Sequence, residues 1–229
     1  MLSDTDIKQQ IEHRKNNPTE GIYIDPFEEK YLTPVGYDFR IGLKGFSWKN
    51  KREIDIEKER QIEIEPNDTV VIETLESVSL SKVVGGTIHA MVSKAVLYGL
   101  SHISTTIDPG WTGKLLISVS NYRDSPVVLR FRDSFCTVCF HQMESESKVP
   151  LGRPPDRDDI WERLLEISRQ EKKKKEKENV SRNILIISLI IIVLFLGVFV
   201  SLKNPDLGSA LAAFIALISP VVYDRLKSK

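Results

Sequence analysis

The sequence predicts a mainly-β domain, a barrel or sandwich, followed by a charged helical linker and two C-terminal transmembrane helices. Before residue 150, short runs rich in Val, Ile and Thr alternate with Pro, Gly and Asn, the signature of many short strands joined by turns. Beyond residue 183 the composition changes, and positions 184–200 carry no charge, which suits a bilayer-crossing helix. Lys+Arg and Asp+Glu number 32 each in 229 residues. A chain with no basic excess does not coat nucleic acid, so no nucleic-acid polymer is expected as a partner. Two cysteines, Cys136 and Cys139, are too few for a disulfide framework and point to a reducing compartment. Met1 leads into a polar stretch, 3–15, without a signal-peptide pattern, so membrane delivery is expected to depend on the C-terminal segments.

The first 150 residues read as one globular domain. Ser3 or Asp4 caps a short helix over 6–12, with Ile7 and Ile11 on one face. Strands are predicted over 22–24, 36–41, 61–64, 69–74, 114–119, 127–131 and 135–140. A second short helix is predicted over 93–98, stopped by Gly99. Cys136 and Cys139 have CxxC spacing, but on a strand positions i and i+3 face opposite ways, so no zinc site is expected. His89, His102 and His141 are scattered, and His102 has the best claim to touch a ligand. No phosphate-binding loop of Walker type is present.

Residues 151–182 form a linker. Pro154 and Pro155 interrupt the chain, and Asp156, Asp158 and Asp159 favour a helix start. Ile160, Leu164 and Ile167 then recur at i, i+4, i+7, a seam that either self-associates or lies on its own domain. Trp161 reads as an anchor onto that domain. Lys172, Lys173, Lys174 and Lys175 form a solvated charge block beside the expected bilayer.

The expected membrane hairpin is 183–223, with a basic tail at 224–229. Residues 183–202 suffice to cross a hydrocarbon core of about 30 Å at about 1.5 Å per residue. A polar turn over 203–207 contains Pro205. The run 208–223 is shorter and rich in alanine (Ala210, Ala212, Ala213, Ala216), so it either packs against protein or forms a re-entrant or interfacial segment. Basic residues flank both outer ends, which places both termini in the cytoplasm of a multi-pass protein of the inner (cytoplasmic) membrane.

Several motifs appear in order. Leu2-Ser3-Asp4 and Asp6-Ile7 open the chain, followed by Pro34-Val35-Gly36-Tyr37-Asp38-Phe39-Arg40-Ile41-Gly42 and Thr74-Leu75-Glu76. Gly99-Leu100 comes next, then Ile107-Asp108-Pro109-Gly110-Trp111-Thr112-Gly113, ending downstream in Asn121. Over residues 1–142 this resembles the dCTP deaminase branch of the trimeric dUTPase-like superfamily. The resemblance implies a distorted jelly-roll β-barrel, a homotrimer, and nucleotide sites between subunits without zinc or another cofactor. It further implies a carboxylate that activates water, helped by an Arg and a Ser near the short helix.

The carry-over by position is incomplete. Ser118 stands where the resemblance implies the catalytic Glu, and a serine is no base near neutral pH. Val92 and Leu97 stand where it implies arginines, leaving Ser93 with Lys94 new beside it, and Thr137 replaces a Gln expected toward phosphate. Asp108 is kept, either as a nucleotide contact or as a turn-capping residue before Pro109-Gly110. Lys94 either meets phosphate or is solvated. The expectation is therefore a ligand site of Ser93, Lys94, His102, Asp108 and Ser118 with no catalytic or metal-binding residues, in a protein that is not an enzyme. In that reading it senses a nucleotide or cyclic nucleotide and controls a membrane effector, as in anti-phage defence. An active, tethered dCTP deaminase or dUTPase is the alternative, and a trimerising scaffold the third.

Overall fold

The structure is a computed structural model in which residues 1–203 are described. Helix α1 (Asp4–Asn16) opens with a capping box, in which Ser3 Oγ accepts from the Asp6 amide and the Asp6 carboxylate accepts from the Ser3 amide. Those hydrogen bonds to Ser3 hold the Asp6 carboxyl below its ordinary range. Ile7 is fully buried and Ile11 packs on the core, which fixes the helix against the domain. Strands β1 (Ile22–Asp25), β2 (Leu32–Thr33), β3 (Gly36–Ser47) and β4 (Arg52–Asp55) follow, then the single-turn helix α2 (Ile56–Glu59). Strands β5 (Gln61–Ile64), β6 (Thr69–Leu80) and β7 (Val84–Ala90) lead to helix α3 (Val92–Tyr98). After it come β8 (Leu100–His102), β9 (Thr105–Ile107), β10 (Thr112–Asn121), β11 (Val127–Arg130) and β12 (Ser134–Gln142).

The main sheet runs β8-β10-β6-β3-β12-β7-β9, with β1 on β6 and β2 and β4 on β3, and β11 pairs with β5 separately. Consecutive strands β8 and β9 lie at opposite ends of this path, yet only Ile103 and Ser104 separate them. So short a connection requires the sheet to curl until its ends nearly meet, and Ser104 Oγ, just ahead of β9, donates to the Ile88 carbonyl on neighbouring β7 at 2.7 Å. Inside the curl, Tyr37, Phe39, Phe135, Phe140 and the fully buried Ile side chains form the core. The chain is mainly β, as the sequence predicts.

One ionic cluster sits within that core. Arg40 and Glu76 are 3% and 0% exposed, and the Arg40 guanidinium bridges Glu76 and Glu28 while its amide donates to Glu76 at 2.8 Å. Burial disfavours the Arg40 charge, but the two carboxylates outweigh it, so its pKa is raised. Burial likewise raises Glu76 against the pull of Arg40. Arg40 stays charged, as a guanidinium does in any protein setting.

Helix α4 runs from Asp158 to Lys203. Up to Glu171 it belongs to the same compact unit as the sheet, and a second unit begins at Lys172. In the first unit, Trp161 and Leu164 pack with Phe46 and Val71, with Ile160, Ile167 and Leu116 alongside. Lys44 Nζ lies 4.5 Å from the centre of the Trp161 ring. The seam residues thus lie on their own domain within a single chain.

In the second unit, α4 carries the apolar run with its large side chains exposed, from Ile184 (61%) to Phe195 (77%). Among the described residues there is one helix long and apolar enough to cross a membrane. The second apolar segment expected at 208–223, the tail at 224–229 and residues 204–207 of the expected turn lie outside the described residues. The two-helix expectation is therefore narrowed to one candidate helix.

Candidate functional site

Helix α3 presents Ser93 to solvent, while Lys94 turns inward with 16% of its side chain exposed. Its Nζ lies 4.0 Å from an Asp133 carboxylate oxygen and 5.1 Å from the centre of the Tyr98 ring. Lys94 is thus not a freely solvated lysine. Val92 and Leu97, at the positions where arginines were expected, are 76% and 72% exposed.

His102 on β8 pairs with Val119 on β10, and cross-strand partners share a face. Val119 is fully buried, so His102 points into the sheet's interior, where its ring meets Phe135 edge-on with centroids 6.1 Å apart. Both ring nitrogens are shielded and have no hydrogen-bond partner. Burial accordingly lowers the His102 pKa. Lys94 and His102 both therefore approach the start of β12, at Asp133 and Phe135.

Ser118 faces the other way. Its cross-strand partner is Val71, part of the cluster that α4 covers. Asp108 sits in the turn between β9 and β10, where its carbonyl accepts from the Trp111 amide at 3.1 Å and its carboxylate lies 3.2 Å from Arg153. Within one chain, the five expected site residues form no single cluster. Only Lys94 and His102 share a neighbourhood.

A denser polar group lies on the outer face of β3, β12 and β7. Thr137 Oγ1 donates to Asp38 at 2.6 Å, and burial raises the Asp38 pKa despite that bond. Thr137 is therefore committed to Asp38. Two residues along β12, Cys139 pairs with Thr87, whose hydroxyl lies 2.8 Å from His89 Nε2 and 3.0 Å from His141 Nε2. A hydroxyl has one proton to donate, so Thr87 donates to at most one of the two imidazoles and at least one of them donates to it. Burial, the N-terminal ammonium and His89 all lower the His141 pKa. Burial and then Asp38 raise the Cys139 thiol, while Cys136 faces the core. The opposite facing of the two cysteines follows the strand periodicity. Among the described residues no three His, Cys, Asp or Glu side chains are arranged to hold a metal ion.

Sequence reasoning treated Asp38 as part of a fold motif and His89 and His141 as scattered. The signal that joins them is pairing register: Asp38 opposite Thr137, and Thr137 opposite His89. Nothing local in the sequence reports that register, because β7 was not among the predicted strands.

Comparison with known proteins defines the family. A family model described as dCTP deaminase-like matches residues 1–143. The chain is 36% identical over 129 residues to a dCTP deaminase of Thermococcus sibiricus, covering 56% of this chain and 81% of that protein. It is equally similar to a dCTP deaminase of Pyrococcus furiosus, 36% over 129 residues with the same coverage. A dUMP-forming dCTP deaminase of Methanosphaera stadtmanae is 29% identical over 177 residues, covering 69% of this chain and 86% of that one. Among solved structures, the 2'-deoxycytidine 5'-triphosphate deaminase of Agrobacterium tumefaciens aligns with a TM-score of 0.49 at 17% identity, over 61% of this chain and 47% of that one. These relatives correct the expectation that the chain is not an enzyme, since proteins named dCTP deaminase match it across most of their own length. That expectation rests on the replacements at Ser118, Val92, Leu97 and Thr137, whereas the domain keeps other carboxylates, Asp38 and Asp108 among them, in partly exposed positions. By the extent of the family match, the chain belongs to the dCTP deaminase-like family.

Proposed function

We propose that the chain is a membrane-tethered enzyme acting on a pyrimidine deoxynucleotide, as a dCTP deaminase or a dUTP diphosphatase. The observation that carries this reading is the retained Asp108 turn in a chain 36% identical to proteins named dCTP deaminase. Its site is completed between copies of a homotrimer, as the family resemblance implies. Asp108 of one copy then meets Ser93 and Lys94 of the next, and the separation of Asp108 from them within one chain supports that arrangement. Ser93 offers a hydroxyl, and Lys94 offers a point charge to phosphate.

Deamination needs a base that takes a proton from water as it adds to the ring carbon bearing the amine, and an acid that returns one as ammonia leaves. Ser118 cannot be that base. Asp108 is one candidate. Asp38 is the other, because burial raises its pKa toward the range in which a carboxylate exchanges protons. We further propose that α4 inserts into the cytoplasmic membrane, with the β domain on the cytoplasmic side.

The test is product analysis on purified full-length protein supplied with dCTP and with dUTP. Uracil nucleotide and ammonia from dCTP, or pyrophosphate from dUTP, are expected, and Asp108→Asn should lower turnover by roughly 100-fold or more. A nucleotide that binds only the folded state at 100 times its Kd should add about 2.7 kcal/mol of stability. The reading is overturned if neither nucleotide is converted and neither shifts the melting temperature.

A further inference from the structure

The chain between the sheet and α4 returns across the Asp108 turn. Leu151 packs on the main core. Arg153 Nη1 lies 3.2 Å from Asp108 Oδ2. Asp156 Oδ1 accepts from the Lys114 amide at 2.5 Å. Gly113, just before that amide, has φ 124°, and a Cβ there would lie 2.4 Å from the Asp156 nitrogen. Both ends of the Asp108-to-Gly113 turn are thus held by residues 151–157, and the close approach depends on glycine.

The same stretch carries its own strain. Asp156 and Arg157 have φ of 57° and 52°, a left-handed conformation uncommon for residues other than glycine. Two such residues in succession stay in place only while neighbouring contacts hold them. They stand immediately before Asp158, where α4 begins. The Arg157 side chain is drawn onto Asp159 at 2.9 Å and 3.0 Å, on the first turn of that helix.

We propose that residues 151–157 are a built-in strap that competes with nucleotide for Asp108. This rests on the reading of Asp108 as a nucleotide contact. For a deoxynucleotide hydroxyl to take the Asp108 carboxylate, Arg153 must leave it. With Arg153 gone, the strained pair Asp156-Arg157 is held to the domain by the Asp156–Lys114 bond, while Arg157 stays tied to Asp159 on α4. Nucleotide occupancy and release of the strap ahead of α4 are therefore linked: each favours the other, as any two coupled equilibria must.

The experiment uses the full chain in detergent and dCTP as probe, with dUTP in parallel. Binding is measured by titration, and release of the strap by the rate of tryptic cleavage after Arg157, followed by mass spectrometry. Arg153→Ala should bind about threefold tighter, the size of change an exposed ion pair can impose. Adding dCTP to the wild type should speed cleavage after Arg157, and Asp156→Ala should speed it without nucleotide. Wild type and Arg153→Ala binding with equal affinity, or dCTP slowing that cleavage, overturns the strap while leaving nucleotide binding intact. If the wild type binds nothing and Arg153→Ala binds either nucleotide, the strap is supported in its strongest form. If neither protein binds either nucleotide, the nucleotide reading itself fails and the competition with it.

Discussion

At the scale of single residues, His102 is costly to the fold. Two shielded ring nitrogens without partners forfeit the hydrogen bonds that water gave them, a loss of roughly 1–3 kcal/mol per unsatisfied group. Burial holds its pKa below the ordinary 6.5. The folded state therefore prefers the neutral ring. That preference contributes in full above pH 6.5, and is lost as pH falls through the depressed folded value. We expect His102→Leu to be about 1 kcal/mol more stable at pH 7 and to lose less stability than wild type between pH 7 and 5, measured by urea denaturation at both pH values. Equal acid sensitivity in the two proteins would move the effect to His141, whose pKa is lowered as well. The sequence singled out His102 for its place near the expected pocket. Its inward direction was not legible, because that follows from pairing with Val119, seventeen positions away.

At the scale of elements, legibility tracked periodicity. Strands with an alternating or strongly apolar pattern, such as β10 and β12, appear where the sequence puts them. β7 does not announce itself, because Gly85-Gly86 reads as a turn. In the fold those glycines lie within the strand, and a Cβ on Gly85 would lie 2.5 Å from Met143. The sequence pattern also passes over β2, β4, β8 and β9, but it is β7 that carries Thr87 and His89, so the polar face of β3, β12 and β7 goes unread with it. The start of α4 was legible as a seam but not as to its partner, which only the outward positions of β3 and β6 supply through Phe46 and Val71. If that docking fixes the helix start, Trp161→Ala should lower stability by about 3 kcal/mol, the low end for emptying a buried aromatic site. Thermal melting of the full chain checks this, with Lys44→Ala, which removes the cation over the ring and one of the two lysines paired with buried Glu73, expected to cost less, about 1–2 kcal/mol. A Trp161→Ala protein that melts like wild type would mean that α4 is not held at Phe46 and Val71.

At the scale of the whole molecule, the proposed tethering has two possible physical sources. Both lie in α4, and they differ in their response to salt. The block Lys172, Lys173, Lys174 and Lys175 attracts an anionic surface, each charge contributing about 1 kcal/mol near the headgroups. That attraction is screened within about 3 Å at 1 M salt. The apolar run beyond Ile184 acts by removing side chains such as Leu189 (59% exposed) and Phe195 (77% exposed) from water, at roughly 25 cal/mol per Å², which salt does not weaken. If α4 inserts, full-length protein should stay with the membrane fraction through a 1 M salt wash and leave only in detergent. A chain ended at Glu171 keeps the docked turns of α4 around Trp161 and Leu164 and lacks both attachments, so it should be soluble, folded and able to bind whatever nucleotide the full chain binds. Release of the full-length protein by salt alone would assign attachment to the lysines and remove the inserted helix from the account. A truncated chain that still sediments with membranes would place the attachment in the β domain itself, on a surface such as exposed Val92, Val96 and Leu97 of α3.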